Sequence, residues 1–187
     1  MLSMGKKQRM KDLAEVAIVI DTWDDVFSDF DPRPLNERTV SGDFIDELKK
    51  RYREKHGREL VIKLYAPEDL RDEESELMVT RRLKRHFNEL YLYAQAARER
   101  HMARAVLYAM VGMMSLSFLV LMTYYQVFGK LALELMGVVL MPLGWFGVWE
   151  GFSRVIEGAP ALRQDIAFYG NLANAAYRFE YLNDHDT

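Results

Sequence analysis

Between Ala105 and Phe128 the chain reads A-V-L-Y-A-M-V-G-M-M-S-L-S-F-L-V-L-M-T-Y-Y-Q-V-F, without one charged residue. About 20 apolar residues are enough to cross the hydrocarbon core of a bilayer, so this stretch predicts a transmembrane helix over 105–128. A second stretch, L-A-L-E-L-M-G-V-V-L-M-P-L-G-W-F-G-V-W from Leu131 to Trp149, carries one charge, Glu134, near its start. It predicts a second span over 131–152. Only Gly129 and Lys130 lie between them, so the spans are expected as antiparallel neighbours joined by an external turn at 129–130. The alternative is a hairpin buried in a soluble domain. Two helices that are apolar all round would then need many other apolar elements to cover them, and the rest of the chain does not offer these.

A mean hydropathy of -0.19 looks soluble only because it averages this block with a strongly charged N-terminal half. Zero cysteines exclude disulfides, thiolate metal sites and cysteine nucleophiles. A net charge of -3 argues against nucleic acid as a partner, since that binding is carried by a cationic surface. The segment Met1 to Asp12 has no apolar core of signal-peptide length and is expected to be retained. Arg81, Arg82, Lys84, Arg85, Arg98, Arg100 and Arg104 precede the first span, Arg154 and Arg163 follow the second, and Lys130 alone marks the turn. The positive-inside rule therefore predicts a multi-pass protein of the cell (inner or plasma) membrane with both termini cytoplasmic. Arg98, Arg100 and Arg104 are the candidate contacts to anionic lipid.

Tyr124 and Tyr125 suit the outer interface, and Trp149 and Phe152 the inner one. Pro142 and the nearby Gly137, Gly144, Gly147 and Gly151 predict a bend or a close backbone approach. The spacing of Gly147 and Gly151 is that of close helix pairs. The face of Gly144, Gly147 and Gly151 either accepts the first span or forms an oligomer seam.

Outside the hairpin, residues 1–72 read as a small cytoplasmic α/β unit. Leu13 to Ile20 and Leu60 to Tyr65 are apolar and β-branched, as strands are. Ser41 or Asp43 can cap a helix over Phe44, Ile45, Leu48 and Tyr52 that ends at Gly57, which gives a βαβ order. Two strands make a poor sheet, so a partner edge from another chain is an open expectation. Residues 73–104 predict an amphipathic stalk helix running into the first span, with a coiled-coil-like seam of Leu83, Phe87, Leu90, Ala94 and Ala97. Residues 153–187 predict a C-terminal helix and tail, opened by Pro160, with a matching seam of Phe168, Leu172, Ala175, Phe179 and Leu182.

The acidic loop 21–34 holds Asp21, Asp24, Asp25, Asp29 and Asp31 directly after a strand end, where α/β folds often place ligands. Asp21, Asp24 and Asp25 are candidate ligands for a divalent cation such as Mg²⁺ or Ca²⁺. The competing reading is a structured loop, with Trp23, Phe27 and Phe30 packed inward and the aspartates capping helices or pairing with Arg33 and Arg38. Glu134 and Glu150 flank the second span as candidate intramembrane polar groups. Glu134 can reach the interface, and Glu150 has an i,i+4 partner in Arg154. The run R-R-L-K-R-H, Arg81 to His86, reads as a solvated face or as a surface for an acidic partner. No serine elbow, HExxH pattern or phosphate-binding glycine loop occurs, so no catalytic residue or cofactor site is assigned.

D-F-D-P-R-P (Asp29 to Pro34), the charged helix entering a hairpin, and the G-W-F-G-V-W-E that ends the second span together resemble a group of uncharacterised prokaryotic two-span integral membrane proteins. The resemblance implies the hairpin and transfers no activity. The leading expectation is a membrane-anchored assembly protein, a scaffold or an accessory subunit, that pairs with itself or with a membrane-protein partner. An oligomeric channel or transporter lined by Ser115, Ser117, Thr123 or Glu134 is one alternative. A metal-dependent enzyme or sensor using the acidic loop is the other.

Overall fold

The computed structural model describes residues 13–53 and 59–182. The N-terminal segment and the Gly57 helix break therefore lie outside the described residues. The elements run in the order β1 (Leu13–Val19), α1 (Gly42–Arg53), β2 (Glu59–Pro67), α2 (Glu73–Tyr124), α3 (Lys130–Asn174) and β3 (Ala176–Leu182). The chain divides into two compact units, one of residues Met1–Leu92 with Ile166–Thr187 and one of residues Tyr93–Asp165.

The first unit is built on a parallel three-stranded sheet in the order β1-β2-β3, with Val16 opposite Ile62 and Ile62 opposite Tyr177. Side chains alternate across a strand. One face thus presents Val16, Ile18, Ile62 and Leu64 to a core completed by Phe44 and Leu48 of α1, Val79, Leu83 and Phe87 of α2, and Phe168 and Leu172 of α3. Burying each of these larger apolar side chains contributes about 1.5–3 kcal/mol. Ser41 precedes α1 and its carbonyl accepts the Ile45 N–H. Asp72 opens α2, its carboxylate accepting the Ser75 N–H at 3.0 Å and the Ser75 hydroxyl at 2.6 Å.

The C-terminal segment corrects the expectation of a helix through Phe179 and Leu182. The helix ends at Asn174, and residues 176–182 form β3 beside β2. In A-Y-R-F-E-Y-L the aromatic residues Tyr177, Phe179 and Tyr181 alternate with Arg178 and Glu180, a period of two that outweighs the coincidental three- and four-residue spacing. The third strand thus comes from the same chain. The two seams predicted for a stalk, Leu83 with Phe87 and Phe168 with Leu172, are spent in this sheet core. Pro160 does not open a helix either. It lies inside α3, as does Pro142, and each removes one i→i−4 hydrogen bond without ending the helix.

The second unit holds the apolar parts of α2 and α3. Both helices are long and apolar enough to cross a membrane, and only 22% and 6% of their most apolar windows are buried. Their apolar side chains therefore face outward, unlike those of a core hairpin in a soluble domain. The first helix stops at Tyr124 because Gln126 takes a left-handed backbone (φ 49°), which ends a helix, and Lys130 already begins α3. The turn is thus 125–129 rather than 129–130.

Candidate functional site

Three places in the molecule gather polar or unpartnered groups, and each lies within one unit. The first is the acidic loop. Asp25 Oδ2 accepts the backbone N–H groups of Asp21 (2.7 Å) and Thr22 (2.9 Å), closing a short 3₁₀ turn over 23–25. Asp24 pairs with Arg38 at 2.5 Å and Asp31 with Arg33 at 2.7 Å. The Arg33 guanidinium, with the Thr39 N–H, holds the Asp31 carboxyl well below the usual carboxylate range. Among the described residues no group of three or more acidic or histidine side chains is arranged to hold a metal ion. Of the loop carboxylates, Asp25 acts as a backbone acceptor and Asp24 and Asp31 as arginine partners. Phe27 is buried and Trp23 packs edge-on against Phe179, with ring centroids 5.9 Å apart. Phe30 departs from the inward packing expected of it and is 97% exposed. It occupies the third position of the turn closed by Asp31 N–H to Ser28 C=O (3.2 Å), which points it to solvent.

The second place is a groove of about 520 Å³ between this loop and the start of α2, lined by Asn36, Glu37, Glu74, Leu77, Met78 and the three arginines Arg81, Arg82 and Arg85. Its floor is fixed by two guanidiniums. Arg82 Nε donates to the Arg38 carbonyl at 2.9 Å, and an Arg85 Nη donates to the Asn36 carbonyl at 2.8 Å. Burial, and then the neighbouring Arg85, push the Arg82 guanidinium below its ordinary value. Beside it His86 is half-buried against Phe87, with Nε2 unpaired and its pKa lowered first by burial and then by Arg82. The basic run is therefore only partly a solvated face, because Arg82 and His86 turn towards protein while Arg81, Lys84 and Arg85 stay exposed. That difference was not legible in sequence, since the loop carbonyls that meet the run lie 44 and 49 residues upstream of Arg82 and Arg85.

The third place is the second face of the sheet. Glu15, Ala17 and Arg178 are exposed, Val19 is 63% and Leu182 46% exposed, and Lys63 lies between Glu15 (3.4 Å) and Glu180 (3.1 Å). Donation to the Glu180 carboxylate, and then to that of Glu15, raises the pKa of the Lys63 ammonium. Val61 and Tyr65 at the centre of this face are buried and half-buried, while its flanking positions on β1 and β3 stay open to solvent. The outer edge of β1 is protected at one point, where the Arg51 guanidinium donates to the Ala17 carbonyl.

In the helical unit the glycine face meets the first apolar helix. A Cβ on Gly144 would lie 2.4 Å from the Leu116 side chain, one on Gly147 2.8 Å from Gly112 Cα, and one on Gly151 2.6 Å from the Ala105 carbonyl oxygen. Gly112 is the counterpart on α2 that the GxxxG search missed, since it stands alone in that helix. His101 and Gly158 were missed too. The His101 Nε2 lies 3.0 Å from the Arg154 carbonyl oxygen, and its ring occupies the space where a Gly158 Cβ would project. Glu150 pairs with Arg154 at 2.6 Å, whose guanidinium lies over the Tyr108 ring. Glu134 is exposed near the start of α3. Arg98, Arg100 and Arg104 are all exposed, with Arg100 over the Tyr93 ring at 5.9 Å. Of the residues weighed for a transport path, Ser115 and Thr123 donate to the carbonyls of Leu140 (3.2 Å) and Leu119 (2.9 Å).

These features define a mostly helical protein with two helices long and apolar enough to span a membrane, and a small three-stranded parallel sheet. The chain matches no known protein family, no curated protein and no solved structure.

Proposed function

We propose that this chain is a membrane-anchored assembly protein, a scaffold or accessory subunit. In this reading the hairpin crosses the cell membrane twice, both termini are cytoplasmic, and the α/β unit docks a second copy or a membrane-protein partner. The observation that carries it is the uncovered sheet face. All-parallel sheets occur almost only where both faces are covered, because crossover helices and neighbouring chain pack on them. Here one face is spent on the core, and the other leaves Val19, Ala17, Arg178 and Leu182 in solvent. Its charges also favour docking over simple solvation. Lys63 is already matched to Glu15 and Glu180, so an incoming surface meets a nearly neutral, part-apolar face.

The absence of cysteine makes the test direct. Val19→Cys and, separately, Leu182→Cys are placed in the full chain and treated in native membranes with a short bis-maleimide. A covalent dimer of twice 21.9 kDa, or one recurrent heavier adduct, is the expected product. Monomer alone at both positions, with the same cysteines freely labelled by a small maleimide, would refute the reading.

A further inference from the structure

The arginine groove carries an assignment independent of the assembly reading. On α2, Arg85 lies one turn from both Arg81 (i,i+4) and Arg82 (i,i+3), close enough for like charges to raise the electrostatic energy. Such a cluster normally draws carboxylates from its own chain. Here Glu37 and Glu74 line the groove, yet among the described residues none of the three guanidiniums makes an ion pair. Two are instead held in place by backbone carbonyls. Arg82 spends only Nε on Arg38, which leaves its two terminal nitrogens free as a fork, and Arg85 keeps donors beyond the one given to Asn36. A guanidinium fixed by one bond, with the rest of its donors unspent, is preorganised for a planar or tetrahedral oxyanion.

We infer that this groove binds a phosphate dianion carried on a small apolar body, held by Arg81, Arg82 and Arg85 with Leu77 and Met78 against the body. A phosphate monoester carries about −1.5 to −2 at neutral pH and three acceptor oxygens, which answers three cations where a single carboxylate answers one. The groove volume, about 520 Å³, falls in the range of small-molecule sites. Leu77, half-exposed at the groove wall, supplies apolar contact that a bare ion would not use.

The same chemistry could come from a soluble phosphate ester or from a phosphomonoester lipid. Two probes are therefore titrated by calorimetry into the full chain held in phosphatidylcholine nanodiscs: phenyl phosphate and dihexanoyl phosphatidic acid. Arg81→Gln and Arg82→Gln are each expected to weaken binding about tenfold or more, the value of one charged hydrogen-bond set. Arg53→Gln, exposed on α1 and outside the groove, is expected to leave it unchanged. Because Arg81 makes no hydrogen bond or ion pair among the described residues, its variant reads binding even where Arg82→Gln loosens the loop. Phenyl phosphate binding with these losses supports a soluble ester, and binding of dihexanoyl phosphatidic acid alone supports a lipid source. Binding of neither probe, an equal loss from Arg53→Gln, or tighter binding of a hexaglutamate peptide than of either probe would overturn the assignment.

Discussion

Alanine at Gly112 tests whether the two apolar helices close on each other through bare backbone. Its Cβ would lie 2.5 Å from the Val148 nitrogen, 2.6 Å from the Gly144 carbonyl oxygen and 2.9 Å from the Gly147 carbonyl carbon. All three neighbours are main chain, so no side-chain rotation relieves the contact. Restoring ordinary contact near 3.4 Å requires the helices to part by about 0.9 Å. Overpacking of this kind costs about 1–3 kcal/mol. Gly137→Ala is the internal control, because nothing lies within 4 Å of a Cβ there. It gains the ~0.5–1 kcal/mol by which alanine exceeds glycine in a helix, and Gly112→Ala gains the same before its clash is counted. The difference between the two variants is therefore the clash, about 1–3 kcal/mol. Reversible unfolding of the purified chain by SDS in mixed micelles, followed through the fluorescence of Trp145 and Trp149, measures it. Equal midpoints for the two variants, or a stabilised Gly112→Ala, would refute the seam.

Phe27→Ala should destabilise the first unit by about 3–5 kcal/mol, whereas Phe30→Ser three residues on should change it by no more than about 0.5 kcal/mol, as thermal unfolding will show. Asp31 has a lowered folded pKa, so the unfolded chain takes up its proton first as pH falls. Its contribution is full above the ordinary aspartate pKa of about 3.9 and erodes below it; Tm measured from pH 7 to pH 3 should therefore fall more steeply for the native chain than for Asp31→Asn. Membrane-impermeant maleimide should label Glu74→Cys and Asn171→Cys from one side of sealed vesicles and Lys130→Cys from the other. Labelling of the first two from opposite sides would break the hairpin reading.

What the sequence made legible follows from the length of each signal. Twenty or more uncharged residues in a row, as at 105–128, have few other uses, and both long apolar helices are present. The strands at Leu13–Val19 and Glu59–Pro67 and the helix carrying Phe44 and Leu48 rested on shorter runs bounded by turn residues, and they too are present. The third strand was hidden because Phe168, Leu172, Ala175, Phe179 and Leu182 satisfy a helical spacing by accident. Only the alternation from Tyr177 to Tyr181 betrays the change of period. Phe30 was misplaced for a different reason, since hydrophobicity predicts burial but a residue at a turn tip has no wall to meet. The arginine groove could not be read at all. Its arginines are contiguous, but the carbonyls that orient them belong to Asn36 and Arg38, and nothing local links the two.

The topology adds a constraint that no charge count supplies. β2 and β3 are hydrogen-bonded neighbours in one sheet, and both long apolar helices lie between them in sequence. A sheet cannot straddle a bilayer, because its ladder would leave polar backbone in hydrocarbon. Residues 59–67 and 176–182 must then lie on the same side of any membrane the helices enter, and the number of crossings between them must be even. The positive-inside rule leads to the same pairing through Arg98, Arg100, Arg104, Arg154 and Arg163, and in the proposed reading it assigns that side to the cytoplasm. The two arguments are independent, since one uses backbone hydrogen bonding and the other side-chain charge. They also differ in consequence. Moving arginines could invert the whole hairpin, but it could not separate β2 from β3 without dismantling the sheet. The pair of long helices is therefore the crossover of the second βαβ unit, and the first unit cannot complete its sheet until both helices have been made and folded back.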